Sequence, residues 1–403
     1  TCGDGECVRL SECQTGELQD DGADIIDIRF NPENECVDYL LKCCPYPDNV
    51  KDDVVSSDPF VALISKQLKD KKEPGRSGVD QESNAILSVL SAADNEKTEE
   101  SIEKTVIKPP IKTPRRSKTI NLQPCGVRNA RGVGFRITGD NDGESEYGEF
   151  PWMAALLKEE KALDLKITVY KCGGSLIHPS VILTTAHCVQ NSKPEEFKIR
   201  LGEWDTQSKN EIYPHQDRNV VEIVSHSQFY KGGLFNDVAL LFLDKPADLM
   251  ETVNTICLPP ANYNFDKLHC FASGWGKDVF GKEGNYQVIL KKAELPVMPR
   301  GQCQRALQTT RLGRRFKLHS SFICAGGEKG RDTCKGDGGS PLVCPIPGAS
   351  NRYYQAGMVA WGIGCGNDGI PGVYVDVAMF TDWISDHLRQ RNISTKFYQY
   401  QED

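Results

Sequence analysis

Short apolar runs recur between about residues 125 and 393, separated by turns that contain Gly, Pro and Asn. Three examples, Val181–Thr184, Phe197–Leu201 and 238–243, are rich in β-branched and aromatic residues. Runs of this length, bounded by turn residues at regular spacing, are typical of strands in β-barrels and sandwiches. The pattern therefore predicts a mostly β domain over residues 125–393.

The hydrophobic pattern changes on either side of these strands. Apolar residues recur at helical spacing over 377–388, which predicts a helix that closes the domain. Residues 394–403 are then expected to form a C-terminal tail. By contrast, residues 46–124 are polar, and 107–117 is basic and rich in proline. This composition favours a solvated, partly disordered linker with one short helix near 60–68.

The bulk composition of the chain excludes several classes of protein. With 403 residues the chain is too long for one ordinary core, so we expect more than one module. A net charge of −8 gives no indication of a nucleic-acid partner. No apolar run approaches the roughly 18 residues that a membrane-spanning helix needs. The opening Thr1-Cys2-Gly3 is interpreted as a mature N-terminus that remains after removal of a signal peptide.

The 16 cysteines fall into two groups, six within residues 1–44 and ten within 125–365. None of them are at the CxxC spacing of metal sites, so they favour disulfides formed in an oxidising compartment. The protein is therefore predicted to be secreted. Residues 1–45 are too few to bury a core alone, and three disulfides are expected to hold them together. Zinc binding by this first group is the alternative.

Three segments carry candidate chemistry: 183–188 with His187, 235–241 with Asp237, and the glycine-rich 332–341. In this order they resemble the trypsin-like serine proteases, in which a serine attacks the substrate, a histidine takes its proton and an aspartate orients the histidine. Three shorter segments match the same family: 172–177, 273–276 and 360–362. The resemblance implies that His187 is the base, that Asp237 orients it, and that the fold is a double six-stranded β-barrel with a C-terminal helix.

The nucleophile of that family is missing from this chain. The family's motif is Gly-Asp-Ser-Gly-Gly-Pro, whereas residues 336–341 read Gly-Asp-Gly-Gly-Ser-Pro. Gly338 stands at the position of the serine, and loss of that serine lowers kcat by about 10⁶-fold. Ser340 lies two positions further on, and misplacement by about 1 Å already costs about 100-fold. The protein is therefore predicted to be a natural inactive homologue and not an enzyme.

The resemblance also implies a specificity pocket and an activation site. Asp332 matches the floor of the pocket that selects Arg or Lys, and Gly362 and Gly372 match its open walls. We expect a vestigial pocket; one that still binds a basic side chain is the alternative. Asp337 matches the partner of the new amine that cleavage after Arg136 would create. The residues after Arg136 read Ile-Thr-Gly-Asp where the family has Ile-Val-Gly-Gly, so activation by this route is not expected.

Two features outside the pocket are candidate binding or modification sites. Residues 201–205 resemble the start of the family's calcium loop, which implies that Glu203, Asp205 and Glu211 bind calcium through carboxylate oxygens. A solvated acidic loop is the alternative. Asn392 begins the sequon Asn-Ile-Ser, an N-glycosylation signal in a secreted protein.

The first cysteine group ends in the adjacent pair Cys43-Cys44, ahead of the linker and the protease-like domain. This arrangement resembles the clip domain of arthropod clip-domain proteases. The two resemblances together imply eight disulfides: Cys2–Cys43, Cys7–Cys36, Cys13–Cys44, Cys125–Cys257, Cys172–Cys188, Cys270–Cys344, Cys303–Cys324 and Cys334–Cys365. With this pairing no disulfide joins residues 1–44 to residues 117–403.

A clip domain ahead of a protease domain with glycine for serine resembles the serine protease homologues of the prophenoloxidase-activating kind. In that family an upstream clip-domain protease cuts the inactive protein, which then assists activation of prophenoloxidase in melanisation, a part of innate immunity. The resemblance implies a non-enzymatic cofactor in haemolymph. Its partners would be that protease, phenoloxidase or prophenoloxidase, and further copies of itself after cleavage, with no nucleic acid and no membrane.

The position of the regulatory cut and the alternative functions remain open in the sequence. Arg115 and Arg116, in a polar segment that a protease can reach, are the best candidates for the cut, and Arg136 is the second choice. One alternative function is a weak hydrolase that uses Ser340 or an activated water. The other is a decoy that captures basic peptides through Asp332.

Overall fold

The structure is a computed structural model. It describes residues 123–134, 143–162, 165–207, 211–277 and 286–402, together with the backbone of three short N-terminal strands. The chain divides into two compact units, Thr1–Tyr46 with Asn121–Asp403, and Pro47–Ile120. The predicted linker helix near 60–68 and the candidate cleavage residues Arg115, Arg116 and Arg136 lie outside the described residues.

The N-terminal strands are β1 (Gly5–Arg9), β2 (Asp27–Ile28) and β3 (Leu41–Pro45). β1 and β3 are antiparallel, and Cys7 lies opposite Cys43. Side chains of residues 1–45 are outside the description, so the three clip disulfides and the zinc alternative stay predictions.

The first barrel contains six strands: β4 (Met153–Ala162), β5 (Leu165–His178), β6 (Val181–Thr184), β7 (Phe197–Leu201), β8 (Gln216–Ser225) and β9 (Ala239–Leu243). They close in the order β4-β5-β6-β9-β8-β7. Along β7, Phe197, Ile199 and Leu201 are buried and the two basic residues between them are half-buried, as the alternation of a strand requires. β9 is buried along its whole length, which explains its continuous apolar sequence.

The second barrel also contains six strands: β10 (His269–Gly274), β11 (Lys291–Met298), β12 (Phe322–Gly326), β13 (Pro341–Pro345), β14 (Tyr353–Gly362) and β15 (Pro371–Asp376). Their order is β13-β10-β11-β12-β15-β14, and a pairing between β13 and β14 closes the ring. β2 of the N-terminal module is added beside β14. The predicted double six-stranded barrel is confirmed.

Within the described part of the domain, three helices and two 3₁₀ helices accompany the barrels: α1 (Ala186–Val189), α2 (Arg300–Gln308), α3 (Val377–Gln390), Pro194–Glu196 and Thr395–Phe397. α3 is the predicted closing helix, and it ends at Gln390 instead of residue 388. It buries Phe380, Ile384 and Leu388, which share one face. Among the described residues, no helix has the length and apolar character needed to cross a bilayer.

The hydrophobic core has three parts. One cluster fills the first barrel around Leu156 and Ile182, and another fills the second around Leu342 and Tyr374. The largest cluster contains residues of both barrels, with the fully buried Trp152 among them. It therefore fixes the two barrels against each other, and the candidate site takes residues from both.

Five disulfides brace this domain: Cys125–Cys257, Cys172–Cys188, Cys270–Cys344, Cys303–Cys324 and Cys334–Cys365. All five are the pairs that the resemblance implied. Each disulfide typically contributes about 2–4 kcal/mol by restricting the unfolded chain.

The segment after α3, expected to be a tail, lies along the domain. The Leu258 N–H donates to the carbonyl of Tyr398 at 2.8 Å, and the Thr255 hydroxyl donates to the carbonyl of Phe397 at 2.5 Å. Tyr398 is 1% exposed. These residues are therefore part of the folded domain.

His178 makes the attachment of this segment sensitive to pH. Its ring stands edge-on to Phe397, with centroids 4.8 Å apart, and its Nδ1 accepts the Ser180 N–H at 3.1 Å. Burial and the nearby Lys396 charge lower the pKa of His178 to about 4. The unfolded chain has a pKa near 6.5, so this stabilisation is complete above that pH and is lost as the pH falls towards 4.

We expect the melting temperature to fall between pH 7 and pH 4, and less steeply in His178→Asn, whose side chain still accepts a hydrogen bond but does not titrate. Differential scanning calorimetry measures this. His269→Asn is the control, since the His269 side chain is 63% exposed. Equal pH slopes in wild type and His178→Asn would contradict the assignment.

Candidate functional site

The histidine and the aspartate of the predicted triad lie side by side. α1 carries His187 directly after β6, and Asp237 precedes β9, the neighbour of β6 in the first barrel. The Asp237 carboxylate accepts the His187 backbone N–H at 2.8 Å, and its second oxygen lies 2.5 Å from Nδ1 of the ring. Both side chains are 0% exposed. The ring is thus oriented as a general base requires, but it has no contact with solvent.

The glycine-rich loop packs against this pair from the second barrel. The Gly338 carbonyl accepts the Gly173 N–H at 2.9 Å, and the Gly339 N–H donates to the Val359 carbonyl at 2.8 Å. Gly339 has a φ of +77°, and a Cβ there would lie 2.5 Å from the Thr184 hydroxyl. The loop is therefore folded and packed closely against the first barrel. Gly338, at its centre, presents no side chain that could attack a substrate.

Ser340 does not replace the missing nucleophile. It is 0% exposed, and its Oγ lies only 2.0 Å from where a Cβ on Gly173 would be. A Cβ on Gly274 would lie 3.3 Å from the same oxygen. The hydroxyl thus fills space between two glycines inside the protein, where a substrate carbonyl does not reach it.

Asp332, the predicted floor of the specificity pocket, is held by backbone hydrogen bonds. Asp332 is half-buried, and its two carboxylate oxygens accept the N–H groups of Thr333 at 2.8 Å and Gly366 at 3.2 Å. Gly362 ends β14 and Gly372 lies at the start of β15, the neighbouring strand. The Asp332 carboxylate is therefore held in place by backbone groups, and the two glycines lie on paired strands; a specificity pocket formed by these residues stays a prediction.

Asp337 is held by backbone groups in the uncut chain. Its carboxylate accepts the N–H of Gly276 at 2.8 Å and that of Cys334 at 2.8 Å. Burial, and then the charge of Asp337, raise the pKa of Tyr286 to about 12. Ile137, the expected partner of Asp337 after cleavage in active relatives, lies outside the described residues.

The acidic loop after β7 brings two predicted calcium ligands together. Ligand atoms of Glu203, Glu211 and His215 lie within 4.8 Å of one another. Burial and the charge of Glu211 raise the pKa of Glu203 to about 7. Carboxylate oxygens are the ligands that calcium prefers, but one oxygen of Glu211 already accepts the N–H groups of Trp204 at 3.0 Å and Asp205 at 3.1 Å, so calcium binding by this pair stays a prediction.

The other groups near this pair are less suited to calcium. An oxygen of Asp205 accepts the Gln207 N–H at 3.0 Å. The imidazole of His215 lies 3.3 Å from Glu203 Oε2, and the guanidinium of Arg200 lies 3.2 Å from the same oxygen. His215 was not predicted, and its only signal is that it follows Glu211 in the same short loop.

At Asn392 the sequon is exposed, as glycosylation requires.

Comparisons with known proteins agree with this architecture. Residues 141–384 match the family model Trypsin, and residues 1–45 match the model described as Serine protease Clip domain PPAF-2. The chain is 57% identical over 297 residues to Phenoloxidase-activating factor 2 of Galleria mellonella, which covers 72% of this chain and 97% of that protein.

Two relatives from Anopheles gambiae extend over nearly the whole chain. Inactive CLIP domain-containing serine protease A8 is 31% identical over 388 residues, which is 95% of this chain and 88% of that protein. Inactive CLIP domain-containing serine protease A28 is 32% identical over 413 residues, which is 98% of this chain and 92% of that protein. Together with the double barrel and the His187–Asp237 pair, these matches show that the chain belongs to the trypsin family of serine proteases, with an N-terminal clip domain.

Proposed function

We propose that this protein is a secreted, non-enzymatic cofactor of prophenoloxidase activation, switched when an upstream clip-domain protease cuts its linker. The observation that carries the proposal is Gly338 beside an intact His187–Asp237 pair. A fold that keeps its loops and disulfides without a nucleophile suits a protein that binds partners. The burial of Ser340 argues against the alternative of a weak hydrolase.

The names of relatives support this proposal. One is named a phenoloxidase-activating factor, and two that span nearly the whole chain are named inactive proteases. Disulfides throughout the described domain fit an extracellular protein, and we propose haemolymph as its compartment.

Reconstitution tests this function. Purified prophenoloxidase and its activating protease are incubated with and without the protein, and phenoloxidase is followed by oxidation of a catechol substrate. We expect strong activity only when the protein is present and cut. Arg115→Gln/Arg116→Gln should lose the effect, whereas Arg131→Gln, at an exposed arginine of the described domain, should keep it. Equal phenoloxidase activity with and without the protein would refute the proposal.

Cleavage in the linker should break the only covalent connection between the two modules. With the pairing implied above, no disulfide crosses from residues 1–44 to residues 117–403, and the described cysteines are all paired within the second part. Cleavage after Arg116 should therefore give two bands on non-reducing denaturing electrophoresis. A single full-size band that splits only with reductant would show a disulfide between the modules.

The choice of cut site is tested by the same double variant. Arg115→Gln/Arg116→Gln should resist the upstream protease, with N-terminal sequencing of the wild-type product beginning at Ser117. Cleavage of the variant at the same place, or a wild-type product that begins after Arg136, would overturn the choice.

We propose that the acidic loop binds calcium through Glu203 and Glu211. Calcium should raise the melting temperature of the wild type, because it binds the folded state and not the unfolded chain. Glu211→Gln should lose most of this increase, and Glu195→Gln, at an exposed glutamate, should keep it. An unchanged melting temperature with calcium in the wild type would contradict this assignment.

A further inference from the structure

The segment around α2 is strongly basic in a chain that is acidic overall. The whole chain has 56 acidic and 48 basic residues, yet residues 295–327 contain five arginines, one lysine and no Asp or Glu. Within this segment, residues 313–318 read Gly-Arg-Arg-Phe-Lys-Leu. Short stretches this rich in Arg and Lys are typical of binding sites for polyanions.

The fold brings the charges of this segment onto one surface, because the loop after α2 turns back along the helix. The Leu318 N–H donates to Oε1 of Gln304 at 3.2 Å. One turn further along the helix, Nε2 of Gln308 donates to the Phe316 carbonyl at 2.9 Å. The loop and the helix thus run side by side, and the basic residues of the loop lie next to Arg305 of α2.

Buried contacts hold this surface in a defined place. The Phe316 ring stands edge-on to the buried Trp361 of β14, with centroids 6.0 Å apart. Leu312 is also buried, and the disulfide Cys303–Cys324 ties α2 to β12. The loop is therefore anchored by its apolar side chains, while its charged side chains point outward.

Four exposed side chains make up the basic patch: Arg305, Arg314, Arg315 and Lys317. In the described part of the chain, none of these four is paired with a carboxylate. Arg300 differs, because its guanidinium donates to the Phe322 carbonyl at 3.1 Å and to the carbonyl of Leu318. The basic patch therefore offers four positive charges to a ligand.

The surroundings of the basic patch favour a ligand that is recognised by charge alone. Residues 300–318 are all described, and none of their large apolar side chains is exposed. A protein partner normally places apolar or aromatic anchors at the centre of its interface, and this surface has no place for them. An acidic polymer needs no such anchor.

Sulfate groups on a polysaccharide fit this surface. The planar guanidinium pairs bidentately with the oxygens of a tetrahedral anion such as phosphate, whose geometry sulfate shares. A sulfated polysaccharide repeats this group along an extended chain, and α2, with nine residues, gives it about 13 Å to follow.

We propose that the basic patch binds a sulfated glycosaminoglycan and so holds the protein at surfaces that carry this polymer. The proposal shares with the proposed function only the extracellular setting that the disulfides of the domain fit. It does not depend on prophenoloxidase activation, because binding is measured without phenoloxidase.

Titration of a fluorescein-labelled heparin oligosaccharide with the full-length protein tests the proposal. Fluorescence anisotropy is followed at an ionic strength of about 0.15 M, where distant charges are screened. Arg314→Gln/Arg315→Gln/Lys317→Gln should bind at least about ten-fold more weakly than wild type, since each lost ion pair contributes about two- to five-fold. Absence of heparin binding in the wild type overturns the proposal.

A second triple variant separates the basic patch from overall charge. Lys193→Gln/Lys245→Gln/Lys267→Gln removes three exposed lysines elsewhere in the domain and makes the same change in net charge. It should bind heparin like wild type. Equal weakening in the two triple variants would show a general charge effect and would overturn the assignment. The melting temperatures of both should match that of wild type, because exposed substitutions change stability little.

Two further measurements test the shared surface and the class of ligand. Arg305→Gln alone should weaken heparin binding about two- to five-fold, because α2 and the loop act together; unchanged affinity would overturn that arrangement. Desulfated heparin and poly-glutamate should each bind at least about ten-fold more weakly than heparin. Poly-glutamate or duplex DNA that binds as tightly as heparin would assign the basic patch to an acidic protein segment or to nucleic acid, and the proposal would fail.

Discussion

Uncut protein and protein cut in the linker should both release no product from Arg or Lys amide substrates. Gly338 supplies no nucleophile, and the loss of a triad serine raises the barrier by about 8 kcal/mol, which is about 10⁶-fold in rate. Ser340 does not compensate, because its hydroxyl is enclosed between Gly173 and Gly274. A chromogenic amidase assay at high protein concentration measures this directly.

Contaminating proteases are the main source of a false positive in that assay. A covalent serine-protease probe should label no band at the size of this protein, since labelling needs a nucleophile. Turnover that survives repurification and disappears in His187→Ala would contradict the expected result. The double variant Gly338→Ser/Ser340→Gly should regain little activity while the His187 side chain stays closed to solvent.

The largest expected loss of stability comes from Glu149, whose side chain is 0% exposed. One carboxylate oxygen accepts the Arg128 Nε–H at 2.9 Å, and the other lies 2.7 Å from the Lys292 ammonium. The Arg128 guanidinium also lies 3.9 Å from the centre of the Phe271 ring. Glu149 therefore joins the segment that precedes the first barrel to β11 of the second.

Glu149→Ala should lower the free energy of unfolding by about 3–5 kcal/mol, because it leaves the largely buried Arg128 without its carboxylate. For a domain of this size the melting temperature then falls by about 10 °C. Thermal melting followed by circular dichroism measures the change. Glu144→Ala is the control. A Glu144 carboxylate oxygen lies 3.6 Å from the Lys291 ammonium, and the Glu144 side chain is 24% exposed. The expected loss of stability is therefore below about 1 kcal/mol.

An equal fall in melting temperature in both variants would show that the buried ion pairs contribute no more to stability than the partly exposed one. A shift confined to Glu149→Ala would show that the buried ion pairs of Glu149 with Arg128 and Lys292 stabilise the domain. The two outcomes differ because a buried charge that loses its partner keeps its desolvation cost, whereas an exposed one regains water.

Local pattern was sufficient for most of the strands and for the closing helix. β6 and β7 begin and end at the residues that the apolar runs predicted, because each run buries one continuous or alternating face. α2 was missed, since only Cys303 and Leu307 of its nine residues are buried and this leaves little periodic signal. Its burial depends on the second barrel, which a local pattern does not contain.

The sequence by itself determined the chemistry that is missing and the cysteine framework of the domain. Glycine at 338 has no nucleophile in any fold, and the family pattern of ten cysteines predicted the five bridges that the structure contains. Only the tertiary structure decided that Ser340 faces inward, that His187 is closed to solvent, and that β2 pairs with the edge of β14. The physical reason is that a residue's functional groups are fixed by covalent structure, whereas exposure and strand pairing depend on groups distant in sequence that packing brings together.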